Sequence, residues 1–493
     1  MKLRIGVSAA AVTLAGLGGP ALAAVTSDVA TAAPAAAAGE PPVAITGPSK
    51  VVLETYDGKV YDLGVRLEAP TGQPFEIRST RADWSSPIRT FWQSPSGPVE
   101  FRKDLQTKWS GLDKFLKVSI VWRKDGSTVY NRRVAPCLNT YDTQRTNPDA
   151  PIRNPYPESC SSHPYTRGSV QGIQGGWRSL LPLNENGVKL QPGKYDVTET
   201  ITPAYARTLG LSPAQAAHTY QLVVKKGQEE SRMRPRMATP RATHERARPA
   251  PRPTAQRAGA RSDAEPDLQS LPAYGMTLSK NSKWLRFSAT VWNGGNGPMV
   301  VDGFRRGESD VMDAYQYFID TDGNQTGYQK VGTMIWHNDP THYHWHFTDF
   351  ARYSLLRADK TEAVRSKKES FCLANTDAID YTVPGADWRP ENTDLQTDCG
   401  DRSSTSIREV LAAGSGDTYA QFRAGQSFRV DNLPNGVYYV AVQANPNGKL
   451  IESDSSNNRA LRKIKLTGTP THRKLKVYQV GIIDDSGYGE EEY

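Results

Sequence analysis

Trp284-Leu285-Arg286-Phe287-Ser288-Ala289-Thr290-Val291-Trp292, followed by Asn293-Gly294-Gly295-Asn296-Gly297, is the stretch on which the fold turns. Leu285, Phe287, Ala289 and Val291 fall at every second position, the spacing of a strand with one buried face. The Asn/Gly cluster then supplies residues that tolerate the positive φ of a tight turn. The pattern recurs in both directions. Asn435 to Val442 reads as another strand downstream, and 50–54, 116–122 and 218–224 alternate upstream. Gln191-Pro192-Gly193-Lys194-Tyr195-Asp196-Val197 echoes the Asn435 strand. Short strands punctuated by Gly, Pro and Asn predict an all-β protein with two β-sandwich-like domains, at 45–226 and 266–466. One short helix is expected at 212–217, with Ser212 as N-cap and Pro213 at the first helical position.

Between the two domains lies SRMRPRMATPRATHERARPAPRPTAQRAGAR, residues 231–261. It holds nine Arg against the single acid Glu245, a net +8, which equals the net charge of all 493 residues. Lys2 and Arg4 add +2 near the start, so the remainder of the chain carries −2. The basic character is therefore a property of the Pro/Arg-rich stretch, read as a disordered linker over 227–265. That stretch has no Phe, Tyr or Trp on which a base could stack, so no nucleic-acid partner is expected. Arg-rich linkers attract proteases, and a cut in 231–261 is expected to release the 266–466 domain.

Met1 to Arg4 is a short basic segment, Ile5 to Gly19 is apolar, and Ala21-Leu22-Ala23 presents small residues at the cleavage positions. Residues 1–23 read as a secretory signal peptide, followed by a flexible lead-in at 24–44. No later run reaches the roughly 18 apolar residues of a membrane span. The expected product is secreted, with no membrane contact after signal cleavage. Four cysteines fit that compartment. They fall two on each side of the linker, so Cys137–Cys160 and Cys372–Cys399 are the expected disulfides. Residues 467–493 read as a tail that is acidic and mobile from Asp484-Asp485 through Glu490-Glu491-Glu492. The 45–226 domain shows no catalytic constellation, and His163 and His218 read as structural or surface residues. A contact with an extracellular polymer or protein is the role left open for it.

The strongest chemical signal is Trp336-His337-Asn338-Asp339-Pro340-Thr341-His342-Tyr343-His344-Trp345-His346. On a strand, His342, His344 and His346 share one face. Neighbouring members stand roughly 6–7 Å apart, close enough for two rings to reach one ion. The outer pair is about 13 Å apart on a straight strand. Three ligands from this run need a bent strand, or His337 across the Pro340 turn replaces one. An all-imidazole set suits Cu(II), Zn(II) or non-haem iron.

With this cluster in view, the region 266–466 resembles the lysyl oxidase family of copper-dependent amine oxidases. The motifs occur in family order: Pro266-Asp267-Leu268, Leu285-Arg286-Phe287, Trp336-His337 leading into H-x-H-x-H, Lys368-Glu369-Ser370-Phe371-Cys372-Leu373, Asp417-Thr418-Tyr419, and Glu452-Ser453-Asp454-Ser455-Ser456-Asn457-Asn458. The resemblance implies that His342, His344 and His346 bind Cu(2+). It implies that Lys368 and Tyr419 join into lysine tyrosylquinone. It also implies a Ca(2+) site made by Asp267, the Leu268 carbonyl, Glu452, Asp454, Asn457 and Asn458, an oxygen-only set that suits a hard cation. Three features depart from the family. Four residues separate His337 from His342 where the family has two, only two cysteines lie in the domain, and Lys367 precedes Lys368.

The activity so implied is oxidative deamination of a primary amine, peptidyl lysine included, by dioxygen. The products are an aldehyde, ammonia and hydrogen peroxide. The base that removes the substrate proton should be a carboxylate, and Asp349 and Asp417 are the candidates. Two other readings fit the same residues. One is a non-catalytic extracellular β-sandwich adhesion protein with a structural metal at the histidines. The other is a zinc or iron enzyme using the same three side chains.

Overall fold

The computed structural model describes residues 40–55, 57–70, 72–105, 108–182, 187–227, 252–337, 343–366, 368, 370–390, 395–423 and 425–488. The signal segment, the run 228–251 and His342 lie outside them. The fold is all-β, as the alternating runs predict. The strands Lys50–Thr55, Leu116–Trp122, Ala217–Lys226, Trp284–Asn293 and Gly436–Ala444 coincide with the five predicted runs.

The N-terminal region is built from several sheets around one apolar core that runs from Val43 to Val224. Its largest sheet orders Lys50–Thr55, Ala217–Lys226, Gly193–Ile201, Leu116–Trp122 and Thr128–Val134. The C-terminal region has its own core, from Leu268 to Leu466. There, one sheet orders Ser370–Phe371, His344–Thr348, Gln325–His337, Val311–Ile319, Met299–Arg305 and Ser406–Leu411. A second places Trp284–Asn293 against Ser415–Tyr419, which pairs in turn with Asp377–Ala378. The echo between 191–197 and 435–442 is structural: the Tyr195 hydroxyl donates to the Gln191 carbonyl and the Tyr438 hydroxyl to the Pro434 carbonyl, each at 2.7 Å. Both tyrosines tie the first turn of a strand to the chain four residues upstream, the device known as a tyrosine corner.

Three expectations need correction. The helix is Pro203–Thr208, with Thr202 as N-cap and proline in the first turn. Residues 212–216 make a single capped turn instead. Ser212 N donates to Gln215 Oε1, Gln215 N to Ser212 Oγ, and Ala216 N to Ser212 O. The cap forms as read, but Ala217 enters a strand and leaves the helix no length. The second correction concerns the linker. Its described end, 252–265, is ordered: Arg257–Gly259 pairs with Gly327–Gln329, and Arg252 meets Asp313 at 2.5 Å. The third concerns the last segment. His472–Val477 is the outer strand of a five-stranded sheet, Ile482 N donates to Trp84 O at 2.8 Å, and Tyr488 donates to Ser162 O.

Trp284–Asn293 alternates only in its first half. From Phe287 to Asn293 every side chain is buried. The reason is a third apolar cluster, in which Tyr165 of the N-terminal region packs with Leu271, Tyr274, Trp292, Ile379 and Ile483. The two regions thus share a core, and chain cleavage within 228–251 would leave the pieces held together by it. Both expected disulfides form, Cys137–Cys160 and Cys372–Cys399, with Cα–Cα separations of 5.9 and 6.0 Å. Among the described residues, no helix is long and apolar enough to cross a membrane.

Candidate metal and lysine–tyrosine site

The strand His344–Thr348 points its side chains as the alternation requires. Trp345 is fully buried on one face and donates from Nε1 to the Asp401 carbonyl. His344 and His346 emerge on the other face, with their Nε2 atoms 2.9 Å apart. That separation is less than twice a metal–nitrogen bond of about 2.0–2.1 Å, so one ion can touch both rings. The preceding strand runs antiparallel, with His337 opposite His344 and Ile335 opposite His346. The His337 ring centroid lies 5.0 Å from that of His346. A hairpin therefore delivers His337 to the same place, although its spacing in sequence departs from the family. The paired Nε2 atoms of His344 and His346, with the His337 ring beside them, fit a transition-metal ion.

One short segment connects the histidines to the tyrosine. Ser370 lies 3.4 Å from His346 Nδ1. Two residues on, Cys372 N donates to the Tyr419 hydroxyl at 2.9 Å, and that hydroxyl donates to the Cys372 carbonyl at 3.2 Å. Two residues before Ser370, Lys368 turns inward and is only 8% exposed. Its Nζ lies 4.5 Å from the centre of the Tyr419 ring and 5.3 Å from that of Phe371. Phe371 stacks edge-on against Tyr419, with centroids 4.9 Å apart. Burial draws the Lys368 amine down to about 8, against the opposing charge of Asp417 and with the help of Arg423. Burial also pushes the Tyr419 phenol up, and Asp417 adds to the effect.

The two candidate bases separate. Asp349 has a positive φ of 66° and its carboxylate meets Lys449 at 2.9 Å, with a third of the side chain exposed. Asp417 is buried next to Lys368, and its Oδ2 makes no hydrogen bond. Burial pushes its carboxyl well up, against the pull of Lys368. Glu409 is a further buried acid that sequence reasoning passed over. It accepts from Leu373 N at 3.0 Å, and burial raises it likewise. Nothing in its surroundings in the chain distinguishes it from an ordinary strand residue. Glu409 also stands beside Cys372 and Cys399, but those sulfurs are joined and offer no thiolate.

The oxygen cluster assembles from three distant stretches. Glu452 Oε2 accepts from Leu268 N at 3.0 Å. Asn457 Nδ2 donates to both Asp267 oxygens, at 3.0 and 3.2 Å, and lies 3.4 Å from Asp454 Oδ2. Asn458 Nδ2 donates to Glu452 Oε1 at 2.8 Å. Each amide thus turns its NH2 to a carboxylate and leaves its oxygen over. The carbonyl oxygens Asn457 Oδ1 and Asn458 Oδ1 are buried and accept no hydrogen bond. Buried acceptors without donors, set among three carboxylates, are the requirement of a hard cation.

Residues 315–475 match the lysyl oxidase family model. Over 161 residues the chain is 29% identical to lysyl oxidase homolog 2 of Gallus gallus, a match covering 32% of this chain and 18% of that protein. Over 134 residues it is 32% identical to protein-lysine 6-oxidase of Rattus norvegicus, covering 27% of this chain and 28% of that protein. The human lysyl oxidase homolog 2 is 30% identical over 126 residues, or 25% of this chain and 14% of its own length. The chain therefore spans less than a third of each of these relatives, and the likeness is confined to its C-terminal region.

Proposed function

On the premise that residues 315–475 carry a lysyl oxidase domain, we propose that the protein is a secreted, copper-dependent amine oxidase. It would convert primary amines, peptidyl lysine among them, to aldehydes with release of ammonia and hydrogen peroxide. The observation that carries this reading is the buried Lys368 amine held against the Tyr419 ring, 4.5 Å from its centre, on the segment that also reaches His346. Copper on His342, His344 and His346 would supply the oxidation of Tyr419 by dioxygen, and the Lys368–Tyr419 quinone would supply the carbonyl that takes up amine and electrons.

The chain's own groups are prepared for this. At pH 7.4 an ordinary lysine is roughly 0.1% neutral, whereas an amine titrating near 8 is roughly a fifth neutral. Burial therefore gives Lys368 a far larger share of the neutral form, whose lone pair bonding to a ring carbon requires, than an ordinary lysine has. The paired hydrogen bonds at Cys372 hold the Tyr419 ring in one orientation. Burial raises the Asp417 carboxyl, so its carboxylate takes up a proton more readily than an exposed one, which suits a general base. Export rests on the 1–23 leader, and both disulfides are of the kind that persists in oxidising compartments.

The test is a panel of primary amines and lysine peptides, with peroxide detection, on the copper-loaded full-length protein. Peroxide formation with an equivalent of aldehyde is expected. No peroxide from any amine, together with an unmodified Lys368 peptide by mass spectrometry, would overturn the reading.

Calcium at Asp267, Leu268 O, Glu452, Asp454, Asn457 and Asn458 is proposed on the two orphaned amide oxygens. A ligand at a hundred times its Kd stabilises by about 2.7 kcal/mol. For a single unit of about 450 residues that corresponds to about 3 °C in melting temperature. EGTA treatment should lower the melting temperature by that amount and added calcium should restore it. An identical midpoint with and without calcium would remove the assignment.

A further inference from the structure

Residues 161–168 belong to the N-terminal region by sequence but complete the C-terminal one. They follow Cys160, which is tied back to Cys137. His163 is only 3% exposed and Tyr165 is fully buried. Tyr165 N donates to His163 Nδ1 at 3.1 Å, so that nitrogen carries the lone pair and the proton of a neutral ring sits on Nε2. Burial keeps the ring neutral by drawing it down to about 4, against the pull of Asp377. Nε2–H then donates to Thr290 Oγ1 at 2.9 Å. Thr290 Oγ1 in turn lies 2.7 Å from Thr418 Oγ1.

Thr418 stands between Asp417 and Tyr419, and Thr290 is its cross-strand partner. Side chains alternate along a strand, so Thr418 holds the face opposite the one carrying Asp417 and Tyr419. The same segment also grips the neighbouring strand. Arg167 N donates to Ile379 O at 2.6 Å, and Tyr381 N donates to Gly168 O at 3.0 Å. That neighbour, Asp377–Ala378, pairs with Ser415–Tyr419. Contact is so close that a Cβ on Gly168 would lie 2.0 Å from Asp380 Oδ1.

We propose that His163 is a positioning residue for the strand Ser415–Tyr419, acting through Thr290 and Thr418, and that the N-terminal region is thereby an integral part of the amine-oxidising unit. Its effect on cofactor formation rests on the reading that Lys368 and Tyr419 join. Its effect on the strand does not.

The test uses full-length His163→Ala, and His163→Gln, which keeps an N–H donor of similar reach. Hydrogen exchange is followed at the 415–419 amides, with the strand Gly193–Ile201 as control. Copper content and the yield of linked Lys368–Tyr419 peptide after copper loading in air are measured beside it. In His163→Ala, exchange at 415–419 should quicken at least tenfold with the control strand unchanged. Copper should be retained, the linked peptide should fall several-fold, and His163→Gln should recover most of both losses. Unchanged exchange at 415–419 would overturn the proposal, as would quickened exchange with a full yield of linked peptide. Wild-type protein that forms no linked peptide would count against the oxidase reading alone, and the exchange contrast would still decide the role of His163. If His163→Ala does not fold, Thr290→Val breaks the same relay at nearly constant shape and is read identically.

Discussion

Replacing Tyr419 with phenylalanine is expected to reduce amine turnover to background while the copper content stays that of the wild type. The phenol is the atom set from which the proposed quinone would be built, and no other tyrosine ring among the described residues has a lysine amine so deeply buried against it. Because the cofactor carries the chemistry, its loss leaves no slower route through the same site. The histidines do not depend on the hydroxyl. His344 and His346 are set by their own strand, which meets this region through the main-chain pairing of Phe347–Thr348 with Ser370–Phe371 and through Ser370, not through the Tyr419 hydroxyl. The substitution has a structural cost too. Cys372 N loses its acceptor in a buried place, worth about 1–3 kcal/mol. The melting point should therefore fall by about 1–3 °C without loss of the fold. Metal analysis, the visible spectrum and a peroxide assay read the three effects separately. Turnover retained in Tyr419→Phe would reject the assignment of this tyrosine.

The second large effect concerns the base. Asp417→Asn is expected to lower kcat, per mole of quinone formed, by about 10²–10⁴, the usual contribution of a positioned base. Asp349→Asn should leave kcat near the wild-type value. The argument is electrostatic. Asp349 sits a third exposed and paired with Lys449, an arrangement worth about 0–1 kcal/mol. Asp417 is sealed beside Lys368, with one oxygen unpaired, and burial makes its carboxylate a stronger base than an exposed one. Normalising to quinone content matters because Asp417 also opposes the loss of charge on Lys368. The reverse order of effects, with Asp349→Asn inactive and Asp417→Asn active, would transfer the role to Asp349.

Much of this site could be read along the chain. His344 and His346 share a face because a strand repeats every two residues, and that rule needs no tertiary information. The disulfide pairs followed from two cysteines on each side of a charged boundary. The acidic-Asn ending exposed its oxygen donors in the order of the residues themselves. Other features could not be read this way. The signature Ser-Pro-Ala-Gln capped a single turn at 212–216, while the weaker-looking Thr202-Pro203 began the helix. Caps state where a helix can start, and the following strand decides whether it has room to continue. His337 could be placed only once a hairpin had set it opposite His344.

The strand Trp284–Asn293 shows where the division falls. Its alternation determined that it is a strand, which face of its first half is buried, and where it turns. All of these depend on local geometry and on the separation of apolar from polar side chains. Its second half, buried on both sides, is explained only by the N-terminal region lying across it. The same holds for the chemistry. Sequence alone determined which residue types are present and on which strand faces they stand. Tertiary structure decided that Lys368 meets Tyr419, that Asp417 rather than Asp349 joins them, and that His163 reaches the back of their strand. These contacts link residues 49 to 127 positions apart. Their properties come from burial, because a lysine or an aspartate acquires a shifted pKa only where the fold withdraws it from water.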